Sequence, residues 1–285
     1  MHFNYKYFNY NMEGSKDSFV KNGGIKLLKW LYRLMIELTN HRLSSILIAS
    51  FTKSRMSKML ISSYAKLFKI NQGEMEKGLK DYETLQQLFV RKLKAGSRPI
   101  DQSLHGVSSP VDAVIETVGT ITERSEMVVK GKTYSLQEML GSEQAAKRYL
   151  NGYFIILYLS PSHYHRIHSP VSGVVINQWE LGKKSYPVNR LGLRLGKDPL
   201  SKNYRVITEI SAHDKNIAIV KVGAMFVNSI ELTHENEHLT KGEEMAYFSF
   251  GSTVVLLFEK GAFELNPALE IPGAIKVGEN IGILK

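Results

Sequence analysis

The sequence predicts an α+β fold, with a helical N-terminal part followed by a mostly antiparallel, β-rich body. Three observations predict it. Residues 25–95 carry apolar residues at helical spacing, clearest in LKDYETLQQLFVRKL over 79–93, which Gly96 and Pro99 end. Beyond Pro99, short β-rich runs such as YFIILYL, RVITEI and STVVLLFEK alternate with Gly, Pro, Asn and Ser. A hydrophobic content of 43% over 285 residues is enough for one sizeable core.

The elements then follow in order. Residues 1–24 are polar and aromatic, lack the apolar segment of a signal peptide, and read as a disordered extension, with Met12 an alternative start. Residues 25–38, IKLLKWLYRLMIEL, place Lys26, Lys29, Arg33 and Glu37 on one narrow helical stripe. Such a helix is about 21 Å long, too short to span ~30 Å of hydrocarbon. It suits either the plane of a membrane interface or an ordinary core, and the stripe does not choose between them. The apolar run LSSILIASF over 43–51, with Lys53, Arg55 and Lys58 after it, adds weight to the membrane.

Charge separates the two parts. Residues 1–100 hold 18 of the 37 Lys and Arg but 7 of the 27 Asp and Glu, so the whole basic excess lies there. That asymmetry calls for an anionic partner. Nucleic acid ranks below lipid, because basic residues are not interleaved with exposed aromatics on a sheet. One short helix is expected near Leu136–Leu150, and 182–205 reads as a basic Gly/Pro-containing loop. The chain has no cysteine, which excludes disulfides, thiolate metal sites and a Cys nucleophile.

Three residue groups could carry chemistry. His163, His165 and His168 fall within SPSHYHRIHSP. With His234 and His238 they suggest a metal set, but no H-E-x-x-H signature accompanies them, and loop capping explains them equally. Asp112 is a lone acid in SSPVDAVI, suited to orienting an imidazole or to a plain turn. Gly251-Ser252-Thr253 interrupts two apolar runs in EEMAYFSFGSTVVLLFEKG. Ser252 reads as a nucleophile or as a strand hydroxyl at a glycine bulge.

Those stretches, in this order, resemble one family. LFVRKLKAGSRPI, SPVDAVI, KGKTYSLQEMLG, YHRIHSPVSG, YPVN, VGAMFVNSIEL and KGEEMAYFSFGSTVVLLFEKG are similar to phosphatidylserine decarboxylase, most closely the bacterial Gram-positive type. The resemblance implies a proenzyme that cuts itself between Gly251 and Ser252, leaving a β chain, 1–251, and an α chain, 252–285. It implies a triad of Asp112, His168 and Ser252 for that cut. Ser252 then becomes a pyruvoyl group, the cofactor, which takes the substrate amine as a Schiff base and serves as an electron sink. His165 is the candidate assistant in the decarboxylation that turns phosphatidylserine into phosphatidylethanolamine.

No metal is implied. The implied partner is phosphatidylserine in an anionic membrane, with the enzyme peripheral on the cytoplasmic face of the cell membrane. Residues 25–98 become the helical membrane-associating region and 99–285 the catalytic domain, and homo-oligomerisation is left open. His163, Phe250, Ala113, Ala246 and Asn228 depart from commoner residues of the family without removing a group the chemistry needs. An inactive membrane-binding β domain and a His-cluster metal hydrolase stand as the rivals.

Overall fold

The structure is a computed structural model that describes residues 42–188, 192–193, 196–224, 230–249 and 252–285. The disordered-extension reading of 1–24 and the interfacial helix over 25–38 lie outside the described residues, as do Asn228, Phe250 and Gly251.

The N-terminal part begins with α1 (Arg42–Lys53) and α2 (Ile61–Leu67), joined by a 3-10 helix over Arg55–Leu60. The helical pattern of 79–93 does not form one helix. Thr84 accepts a hydrogen bond from the Gln87 N–H and starts α3 (Leu85–Phe89), so the stretch divides into a 3-10 turn over Leu79–Asp81 and this short helix. Ile61, Ala65, Met75, Tyr82, Leu85 and Leu88 form a small core of their own.

Among the described residues the body holds sixteen strands: β1 (Gly106–Ser108), β2 (Ala113–Thr120), β3 (Glu126–Val129), β4 (Lys132–Ser135), β5 (Tyr153–Leu159), β6 (Arg166–His168), β7 (Gly173–Leu181), β8 (Arg205–Ala212), β9 (Lys215–Gly223), β10 (Ile230–Leu232), β11 (His238–Leu239), β12 (Glu244–Phe248), β13 (Ser252–Phe258), β14 (Phe263–Leu265), β15 (Gly273–Ile275) and β16 (Asn280–Leu284). Eight make the main antiparallel sheet, in the order β11-β7-β8-β9-β13-β5-β2-β15. Small sheets β10-β12-β6 and β1-β16-β14 accompany it, with a β3-β4 hairpin. The fold class is α+β, as the sequence predicts.

Strand β13 lies inside the main sheet, with β5 and β9 on either side. Side chains alternate across a strand, and here both faces are covered. Val254, Leu256 and Phe258 join one core with Leu157, Ile219 and Ile167. Val255 and Leu257 join the opposite core with Ile156, Val220 and Tyr134. Alternation puts Ser252 on the face of Val254, toward the core that includes Ile167 of β6 and Phe248 of β12.

The helix expected near 136–150 is two helices, α4 (Leu136–Leu140) and α5 (Glu143–Arg148). Gly141 takes a left-handed conformation at φ 71°, ending α4, and Ser142 caps α5. The basic 182–205 stretch includes a short helix over Pro199–Lys202 and buries Tyr186, Val188, Leu193, Leu200 and Asn203.

Candidate active site

Ser252 is the first residue of β13. Its register partners are Leu159 on β5 and Gly223 on β9. The side chain is fully buried, and its Oγ has no hydrogen-bond partner among the described residues. An unpaired buried hydroxyl is costly, so its retention at this point of the sheet calls for a reason.

The histidine loop leaves β5 beside it. The Ser160 N–H, one residue after the Ser252 partner Leu159, donates to His163 Nδ1 at 3.1 Å. His163 therefore sits in a turn and not in an extended strand. His165 is fully buried; its Nδ1–H donates to the His163 carbonyl at 2.9 Å, and its Nε2 has no partner among the described residues. Its ring lies 3.8 Å from that of Phe89, centroid to centroid. The Phe248 N–H, four residues before Ser252, donates to the His165 carbonyl at 3.0 Å. Burial holds the His165 pKa well below the ordinary histidine value, with the Arg91 charge acting the same way. The ring is neutral, with a free lone pair on Nε2.

His168 is neutral for the same leading reason. Burial lowers its pKa, opposed by the Gly242 carbonyl and by the charges of Glu244 and Asp112. Its Nδ1–H donates to the Gly242 carbonyl at 2.8 Å, and its Nε2 accepts from the Tyr164 hydroxyl at 3.2 Å. Asp112 is buried and accepts from Arg98 at 2.8 and 2.5 Å and from the Val277 N–H at 2.9 Å. Arg98 also pairs with Glu74 at 2.9 Å.

The structure thus brings Asp112 within electrostatic reach of His168 and of His163. Among the described residues, no hydrogen bond joins Asp112 to His168, or either of them to Ser252. Gly242, not a carboxylate, sets the His168 tautomer. Among the described residues no group of three or more His, Asp and Glu side chains is placed to hold a metal ion.

Further residues hold the site together. Arg91 is buried and donates to the carbonyls of Ser162 and His163 at 2.8 and 3.0 Å, clamping the histidine loop to the helical part. Arg166 donates to the Val90 carbonyl at 3.0 Å and pairs with Glu244 at 2.5 Å. Phe89, Arg91 and Arg98 all fall in LFVRKLKAGSRPI, whose distinctiveness was the only available hint.

A buried serine hydroxyl and neutral imidazoles are the equipment of acyl transfer, here in a β-rich body built around one interior strand. The sequence pattern of the family described as phosphatidylserine decarboxylase matches residues 85–283. A phosphatidylserine decarboxylase proenzyme of Geobacillus sp. (strain WCH70) is 74% identical over 259 residues, covering 91% of this chain and 100% of that protein. The protein of the same name from Geobacillus kaustophilus (strain HTA426) is 71% identical, over 89% of this chain and 96% of that one. One from Bacillus cereus (strain ATCC 10987 / NRS 248) is 57% identical, over 88% and 96%. The chain belongs to the phosphatidylserine decarboxylase family.

Proposed function

We propose that the chain is a proenzyme that cuts itself before Ser252 and then removes carbon dioxide from phosphatidylserine, giving phosphatidylethanolamine for phospholipid biosynthesis. One observation carries the reading: the Ser252 Oγ is buried and, among the described residues, unpartnered at the point where both ladders of an interior strand begin. A hydroxyl kept from water and from other acceptors is free for its neighbouring backbone.

In the cut, Ser252 Oγ attacks the Gly251 carbonyl carbon, and the Gly251–Ser252 C–N bond breaks as the C–O bond forms, giving an ester and a Ser252 amine that takes up a proton. Loss of the Ser252 Cα proton then expels the Gly251 carboxylate with Oγ and severs the chain, and water replaces the nitrogen, which leaves as ammonia. His168 takes the serine proton on Nε2, which requires Tyr164 to give up its hydrogen bond there. Asp112 steadies the imidazolium through its charge. Arg98 and the Val277 amide hold that carboxylate in place.

The site suits a pyruvoyl group made from Ser252: Oγ leaves with the Gly251 carboxylate, the side chain becomes a methyl in apolar surroundings, and no hydrogen bond among the described residues is lost with the hydroxyl. That group supplies a ketone to receive the substrate amine and to draw off electrons as carbon dioxide leaves. The His165 Nε2 lone pair, aligned by the His163 carbonyl, handles a proton in that half of the reaction. The buried surroundings exclude water.

The enzyme is peripheral on the cytoplasmic face of the cell membrane. Leu47, Met56, Met59, Leu60 and Leu67 are exposed in the helical part, beside the exposed Lys53 and Lys58. Among the described residues no helix is long and apolar enough to cross a membrane.

Intact mass and a phosphatidylserine decarboxylation assay test the reading together. Wild-type chain is expected as two pieces, 1–251 and 252–285, the second with a blocked, borohydride-reducible end. Ser252→Ala is expected uncut and inactive. His165→Ala is expected to be cut but to decarboxylate about a hundredfold slower or worse. Full-length wild-type chain that still decarboxylates would overturn the mechanism.

A further inference from the structure

A cavity of about 360 Å³ opens between the helical part and β6, within the usual range for small-ligand pockets. Tyr82, Arg91 and Arg166 line it, with Glu76, Lys77, Asp81 and Lys92 also contributing. We infer that this cavity binds a phosphate group, carried by a glycerophospholipid head.

The charge balance points to an anion. Glu76, Lys77, Asp81 and Lys92 are exposed and cancel in sign. Arg166 is answered by Glu244. That leaves Arg91, which is 4% exposed and makes no ion pair with a carboxylate among the described residues. Its guanidinium meets only carbonyl oxygens, and its Nε donor has no partner there. The Tyr82 hydroxyl is likewise buried and has no hydrogen-bond partner among the described residues, with the Arg91, Glu76 and Asp81 charges within electrostatic reach of it.

A buried guanidinium with no carboxylate in contact among the described residues is unfavourable: burial acts against its charge, and the charge of Asp112, out of contact, offsets this only in part. A phosphate supplies both the missing charge and oxygen acceptors that match the guanidinium fork. Arg91 also holds the Ser162 and His163 carbonyls, so an anion there is coupled to the histidine loop. The anion site rests on the cavity alone; naming its ligand a phospholipid phosphate rests on the function proposed above.

The test is calorimetric titration of the full-length Ser252→Ala chain with inorganic phosphate, glycerophosphoserine and glycerophosphoglycerol. Saturable one-site binding of phosphate and of glycerophosphoserine is expected. Arg91→Lys should weaken both about tenfold. Tyr82→Phe, which leaves the loop clamp intact, should weaken them severalfold without lowering the melting temperature. Preference for glycerophosphoserine assigns the site to substrate, and equal binding of the two esters assigns it to anionic phospholipids at large. Absence of saturable phosphate binding, or wild-type affinity in both variants, overturns the site. Exclusion of both esters overturns the lipid assignment. Because binding is read on a chain that cannot process, a wild-type enzyme that fails to decarboxylate would sink the proposed function and leave the anion site standing.

Discussion

The hydrogen bonds of His168 decide how the cut should depend on pH. The base form is the neutral imidazole, and burial places its pKa below the ordinary value of 6.5. Cleavage of freshly made precursor should therefore hold constant from pH 8 to about 6.5 and fall only below that. A midpoint above 6.5 would show that another group governs the step. Lys221 is a second residue whose burial has consequences. It is fully buried on β9, and among the described residues its Nζ donates to Thr208 Oγ1 alone, at 2.6 Å. Burial lowers its pKa to about 7, while the unfolded value is about 10.4. Between those values the unfolded chain holds a proton that the folded chain lacks, so this contribution to stability rises with pH across that window. Lys221→Met should stabilise the protein at pH 7 by a few kcal/mol, with the difference shrinking toward pH 10 in urea unfolding. A constant difference across that range would contradict the account.

Among elements, β13 carries the greatest burden. All seven of its residues are buried, and it pairs along its whole length on both sides. Its neighbour β5 enters the sheet through Gly152, where an added Cβ would lie 2.0 Å from the Phe258 carbonyl oxygen. That oxygen belongs to the backbone and has no soft route of escape. Gly152→Ala should cost about 2–4 kcal/mol, seen as a lower urea midpoint with unchanged slope. A near-neutral result would mean that the ends of β5 and β13 separate easily. The 79–93 stretch teaches the opposite lesson about elements. Its spacing is helical, yet the Thr84 cap restarts the chain and delivers Phe89, Val90 and Arg91 to the histidine loop. A local cap here outweighs periodicity.

At the scale of the whole molecule, the proposed α chain, 252–285, is woven into the rest. Beyond β13, its β15 pairs with β2 and its β16 with β1. A cut before Ser252 would thus leave both pieces together without a covalent link. The exposed apolar residues of the helical part should make the enzyme bind vesicles containing phosphatidylglycerol. Changing Met56 and Met59, which are 70% and 76% exposed, to Ser should weaken that binding about tenfold, and added salt should weaken it further. Unaltered co-sedimentation would move the docking surface elsewhere. The helical part has a second task that its composition does not reveal. Through Phe89, Arg91 and Arg98 it forms a wall of the candidate site.

The sequence by itself determined the α+β class, the strand runs after Pro99, the family, and the residues on which the chemistry is proposed, because hydrophobic period and short motifs are local properties of a chain. It could not assign the two faces of β13, since a strand covered on both sides reads as one unbroken apolar run. Nor could it show that Gly242 orients His168, that Arg98 holds Asp112, or that Lys221 is fully buried. Those facts join residues 14 to 74 positions apart, or turn on which face of the sheet is covered. Only tertiary packing, which sets burial and therefore the strength of every charge and hydrogen bond, decided them.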